Sequence, residues 1–147
     1  MNAIKASIVE QQPLRLVTAK ATVFPDDTSE AFKALEAPLD TLRGRKFYGL
    51  AFRAEHGIDY YAGLVPADEM EERRFVELGF SVIDVEGGPC ARMKIKDWRT
   101  KTEQFAPVFQ SMAEQHGVDS SRPEMEFYRS LAEVHLLSPV PSGRELP

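Results

Sequence analysis

A chain of 147 residues, 43% hydrophobic and 28% charged, has the composition of an ordinary folded domain and enough length to bury a core, which excludes disordered and fibrous classes. Its net charge of −5 argues against a surface built to neutralise phosphates, so direct nucleic-acid binding is not expected and a cationic partner is tolerated. The single cysteine, Cys90, cannot close an internal disulfide, no apolar run approaches the ~18 residues of a membrane span, and the N-terminus lacks a signal-peptide pattern. These features predict a soluble, cytoplasmic protein with no membrane partner.

From Leu14, the stretch LRLVTAKATVF alternates apolar and polar residues and predicts a strand. DDTSEAFKALEAPLDTLRG offers Asp, Thr and Ser as caps and spaces Phe32, Leu35, Leu39 and Leu42 along one face, which predicts a helix closed by Gly44 and kinked or split at Pro38. The basic residues Arg43, Arg45 and Lys46 at its end read as a solvated loop. KFYGLAFR and IDYYAGLVP, flanking AEHG, predict a hairpin. ADEMEERRF is a charged surface crossover compatible with a helix.

The second half repeats this order. GFSVIDVE and GPCARMKI predict strands about a turn at Gly87 and Gly88, and TKTEQFAPVFQSMAEQHG predicts a helix through Phe105, Phe109 and Met112, ended by Gly117. MEFYRS and AEVHLLSPV predict a second hairpin, followed by a flexible tail over 141–147. The fold expected is α+β: a β-α-β-β unit used twice, over about 14–66 and 79–140, with pseudo-twofold symmetry. Its antiparallel sheet carries the helices on one face and a ligand cleft on the other. A sandwich whose second face is merely wet fits the pattern equally well.

Strand parity sorts the side chains. With 129–132 as the loop, Tyr128 opposes Glu133 and Glu126 opposes His135, so these four share a face while Met125, Phe127, Val134 and Leu136 face the helices. With 54–57 as the loop, Tyr48, Leu50, Phe52, Asp59 and Tyr61 share the cleft face, and Gly49, Ala51, Tyr60, Ala62 and Leu64 lie opposite. Carboxylates among aromatic rings suit a lipophilic cation, which gains Coulomb attraction and contact with the rings' negative faces. An exposed polar surface is the bland alternative. Glu126 beside Glu133 could also lift one carboxyl's pKa and enable acid or base chemistry.

Trp98 fits a cleft wall or a core plug, and His135 a partner for a neighbouring carboxylate. With His56, His116 and His135 as the only histidines, no metal site is expected. Nucleophile, P-loop and dinucleotide motifs are missing, so neither a catalytic residue nor a cofactor is assigned.

The order GFSVIDVEGGPCARMKIKDW, helix, RPEMEFYR, AEVHLLSPV, preceded by LRLVTAKATV, RGRKFYGLAF and IDYYAGLVP, resembles the GyrI-like, or AraC-type effector-binding, domains over nearly the whole chain. The resemblance implies a duplicated β-α-β-β fold with a ligand cleft between the halves. Such domains occur fused to DNA-binding modules in multidrug-sensing transcription regulators and also as separate proteins; the latter form is expected here. In drug-sensing relatives a buried glutamate among aromatics holds the cation, and MEFY matches that position at Glu126. AEVH matches a second acidic position at Glu133. The ligand-contacting set expected is Glu126, Glu133, Tyr48, Tyr61, Phe52, Tyr128, His135 and Trp98. The function implied is binding of lipophilic cationic small molecules. The resemblance leaves two alternatives: hydrolysis of ring-strained natural products in the same cleft, and a DNA gyrase inhibitor-like protein interaction.

Overall fold

The computed structural model describes residues 5–142; most of the tail expected over 141–147 lies outside them. In chain order the elements are β1 (Ser7–Gln11), β2 (Leu14–Lys20), α1 (Thr28–Glu36), β3 (Phe47–Ala54), β4 (Gly57–Leu64), α2 (Glu69–Glu77), β5 (Ser81–Val85), β6 (Gly88–Lys96), α3 (Phe105–His116), β7 (Glu124–Tyr128) and β8 (Glu133–Pro139). Two short 3-10 turns, Trp98–Thr100 and Thr102–Gln104, lead into α3.

The strands form one antiparallel sheet in the order β1-β6-β8-β7-β3-β4-β2-β5. The units β2-α1-β3-β4 and β6-α3-β7-β8 therefore run outward in the same way from a central β7–β3 pair, as the duplicated α+β fold requires. Each half lends the other an edge: β1 pairs with β6 and β5 with β2. Only residues 12–13 join β1 to β2 and only 86–87 join β5 to β6, although these strands lie near opposite ends of the sheet. The sheet must curl until its edges approach, and it forms a half-barrel. Its concave face closes on Leu16, Tyr48, Leu50, Val85, Cys90, Met125 and Leu137.

The other face carries the helices. Ala31 and Leu35 of α1 and Phe75 of α2 pack on Val17, Ala62 and Leu64, while Phe105, Phe109 and Met112 of α3 pack on Ala91, Ile95, Val134 and Leu136. Asp68 caps α2 by accepting a 2.9 Å hydrogen bond from the Glu71 N–H. Gly117, at φ 78°, ends α3. Helix α1 stops at Glu36 instead of continuing to Gly44, because Pro38 supplies no N–H to extend it. Strand β2 likewise ends at Lys20, short of the expected run to Phe24, and β1 was not foreseen in the N-terminal segment.

The first hairpin has the expected register, with Leu50 opposite Tyr61 and Phe52 opposite Asp59. The second is shifted by one residue: Tyr128 opposes Val134 and Glu126 opposes Leu136. Ser130 organises the longer turn, its Oγ accepting from the Ala132 and Glu133 N–H groups at 3.1 Å. A one-residue shift turns the strands over relative to each other. Glu126 and Tyr128 consequently share the helix-bearing face with Val134 and Leu136, whereas His135 lies on the concave face with Phe127 and Leu137. The alternation in β8 could not reveal this, since Val134 to Pro139 are buried on both faces and either register covers apolar side chains.

Candidate functional site

Helices α1 and α3 sit over the two outer parts of the sheet and leave the central β3–β7 pair between them. Glu126 projects there. Both Tyr60 Oη and Tyr128 Oη donate to its Oε1, each at 2.6 Å, while Oε2 accepts no hydrogen bond among the described residues. No Lys, Arg or His pairs with Glu126 in that set.

Local sequence explains the convergence. Gly49 lies directly across from Glu126, and a Cβ on it would stand 2.0 Å from Tyr60 Oη and 2.4 Å from Glu126 Oε1. The glycine thus makes the space in which hydroxyl and carboxylate meet. Ala51, opposite both Tyr60 and Glu124, and Ala62, opposite Gly49, keep the floor low.

Aromatic rings wall the carboxylate. Phe24 stacks on Tyr60 at 4.8 Å between centroids, Phe32 of α1 meets Tyr128 edge-on at 5.3 Å, and Trp98 leans on Tyr128 at 4.9 Å. Trp98 is anchored by a 3.0 Å hydrogen bond from Nε1 to the Ser130 carbonyl, so the 3-10 turn that follows β6 reaches across to the β7–β8 turn. It serves as a wall of the cluster.

Burial pushes the Glu126 carboxyl above the ordinary glutamate range, and the two tyrosine hydrogen bonds only partly offset this. Burial, followed by the Glu126 charge, holds both phenols well above their ordinary range, so they remain donors. The arrangement is a carboxylate with two fixed donors on one oxygen, a free second oxygen, and apolar rings around it.

Of the residues expected at the site, Glu126, Tyr128 and Trp98 come together here. Tyr48, Phe52, Tyr61, Glu133 and His135 lie on the concave face: Tyr48 stacks on Phe127 at 4.8 Å, Phe52 meets Tyr61 edge-on, and His135 Nε2 sits 2.6 Å from Glu133 Oε2. The glutamate cluster therefore lies on the helix-bearing face, a correction to the facing expected from a four-residue turn. Tyr60, Gly49, Phe24 and Phe32 were missed. Parity places Tyr60 and Gly49 on the face opposite the expected cleft, yet a phenol beside a glycine on a buried face signals a hydroxyl that needs a partner.

A separate hollow where the sheet's edges meet, lined by Pro13, Leu14, Asp84 and Val85, holds the exposed Arg15–Asp84 ion pair at 2.9 Å. Among the described residues no His, Cys, Asp and Glu group could hold a metal, and no helix is long and apolar enough to cross a membrane.

No family model matches the chain, and no curated protein does. Solved structures do. An integron cassette protein, VCH_CASS2, from the mobile metagenome of Vibrio cholerae superposes with a TM-score of 0.68 at 15% identity, covering 92% of this chain and 95% of that one. SAV2435 bound to tetraphenylphosphonium gives a TM-score of 0.63 at 15% identity, over 94% of each chain. A hydrolase from Listeria innocua gives 0.58 at 14% identity, over 96% and 94%. At these identities the likeness shows a shared fold. That fold class is a duplicated α+β half-barrel, and one of its members has been captured with a lipophilic cation.

Proposed function

We propose that this chain is a GyrI-like, effector-binding type of protein that takes up a lipophilic, cationic small molecule between α1 and α3, with Glu126 as the cation's partner. One observation carries the reading: Glu126 is desolvated among aromatic rings, is held by two hydroxyl donors, and has no cationic side chain against it among the described residues. A carboxylate so placed is costly unless compensated. An organic cation compensates it and also gains from the faces of Tyr60, Tyr128 and Trp98. Tetraphenylphosphonium, the molecule bound by SAV2435, is the natural probe. Calorimetry should show binding of tetraphenylphosphonium but not of neutral triphenylphosphine oxide, and Glu126→Gln should weaken it by roughly 1.5–3 kcal/mol, between the Coulomb attraction of two nearby charges in water and at a protein surface. Equal affinity for the two compounds would remove the cation from the reading.

A second reading, acid-catalysed opening of a reactive ring, is favoured by the raised pKa of Glu126, which lets its carboxyl keep its proton to higher pH than an ordinary glutamate does. Turnover of a strained electrophile that disappears in Glu126→Gln would support it; binding without turnover supports the first reading alone.

A further inference from the structure

Glu124 stands two residues before Glu126 on β7, so both carboxyl groups rise from one face of the sheet, about 7 Å apart along the strand. It faces Ala51 as Glu126 faces Gly49, and Tyr60, across from Ala51, stands beside both positions. The side chain of Glu124 is only 17% exposed. Burial raises its carboxyl pKa, and Arg53 opposes that rise.

Arg53 is a loose counter-ion. It touches Glu124 through one contact, Nη2 to Oε2 at 3.3 Å, and its own side chain is 58% exposed at the end of β3. Exposed pairs of this kind contribute little and exchange readily with other cations. The β7 column thus presents an inner carboxylate with no basic partner among the described residues and an outer one neutralised by a replaceable side chain.

We infer that the column binds an organic dication, with one positive centre at Glu126 within the aromatic walls and the second, about 7 Å away, at Glu124 in place of Arg53. This rests on the cation-binding reading and adds the ligand class. Ala51, directly across from Glu124, puts only a methyl group on the floor beside the outer charge. The displaced guanidinium moves into water, where it loses little.

The test compares N-benzyl-1,5-diaminopentane with N-benzylhexylamine, which have the same length but differ in an ammonium or methyl terminus. Calorimetry on the full chain should show the diamine binding roughly five- to tenfold tighter, the scale of one charge-assisted contact less the pair it replaces. Glu124→Gln should bring the two amines to equal affinity while leaving the monoamine unchanged. Arg53→Gln, at an exposed position with little bearing on folding, should widen the gap. Equal affinities in the parent protein, or a gap that survives Glu124→Gln, would overturn the inference. If the monoamine binds and the diamine binds no better, the dication fails while the cation site stands. If neither amine nor tetraphenylphosphonium binds, the cation site fails and takes the inference with it.

Discussion

Gly49 lies directly across the central strand pair from Glu126, and the place of its missing Cβ is taken by the Tyr60 hydroxyl and the Glu126 carboxylate. Alanine within a strand normally stabilises relative to glycine. Here the methyl group would force apart the atoms that form the site. Gly49→Ala is expected to lower stability by about 1–3 kcal/mol in urea unfolding, the range for overpacked cores. It should also abolish tetraphenylphosphonium binding. A more stable variant with unchanged binding would show that the hydroxyl and carboxylate need not meet over Gly49.

The order of elements was legible because turn residues and periodicity mark them. Gly44, Gly87 and Gly117 fall between elements, Gly88 opens β6, and Phe105, Phe109 and Met112 line the buried side of α3 as their spacing predicts. The site was legible only in part. Parity within the first hairpin is correct, but the register of the second rests on a four-residue loop over 129–132, and burial on both faces of β8 erases the alternation that would have exposed the one-residue shift. Glu126 stands out through strand parity and its motif, while parity puts its Tyr60 donor on the face opposite the expected cleft. Strand β1 escaped notice for a different reason: five residues whose pairing partner is β6, some eighty positions away, carry no local signal.

The raised pKa of Glu126 gives opposite signs for folding and binding. Between the ordinary and the raised pKa the folded state holds more protons than the unfolded one. Its contribution therefore favours the fold below the ordinary glutamate pKa and is lost as pH rises through the raised value. Glu126→Gln should remove that loss and leave the protein ~1 kcal/mol more stable at neutral pH, as expected when a desolvated charge is neutralised. Binding runs the other way. Tetraphenylphosphonium has a fixed charge, so its affinity should strengthen as Glu126 ionises with rising pH and be flat in Glu126→Gln. Parallel profiles in the two proteins would assign the titration to another group.

Glu133 supplies the control for position. It lies on the concave face, bonded to His135 at 2.6 Å with Arg129 at 3.8 Å, and the His135 bond holds its carboxyl below the ordinary range. Its charge is already answered, and the sheet separates it from the aromatic cluster. Glu133→Gln should leave tetraphenylphosphonium affinity unchanged, in contrast to Glu126→Gln. Loss of affinity in Glu133→Gln equal to that in Glu126→Gln would move the cation to the concave face.

Trp98 is the only tryptophan in the chain, and its ring lies 4.9 Å from that of Tyr128, which donates to Glu126. A lipophilic cation seated against Glu126 must take space now bordered by the Tyr128, Trp98 and Phe24 rings, and so must change what the indole touches. Its emission should shift or quench in proportion to bound tetraphenylphosphonium, giving the same dissociation constant as calorimetry. Trp98→Phe should silence the optical signal and weaken binding by about 1 kcal/mol, the size of a partly desolvated cation–π contact. If calorimetry detects binding while Trp98 emission stays constant, the ligand sits elsewhere, since no occupant of the space around Glu126 could leave this indole's surroundings unaltered.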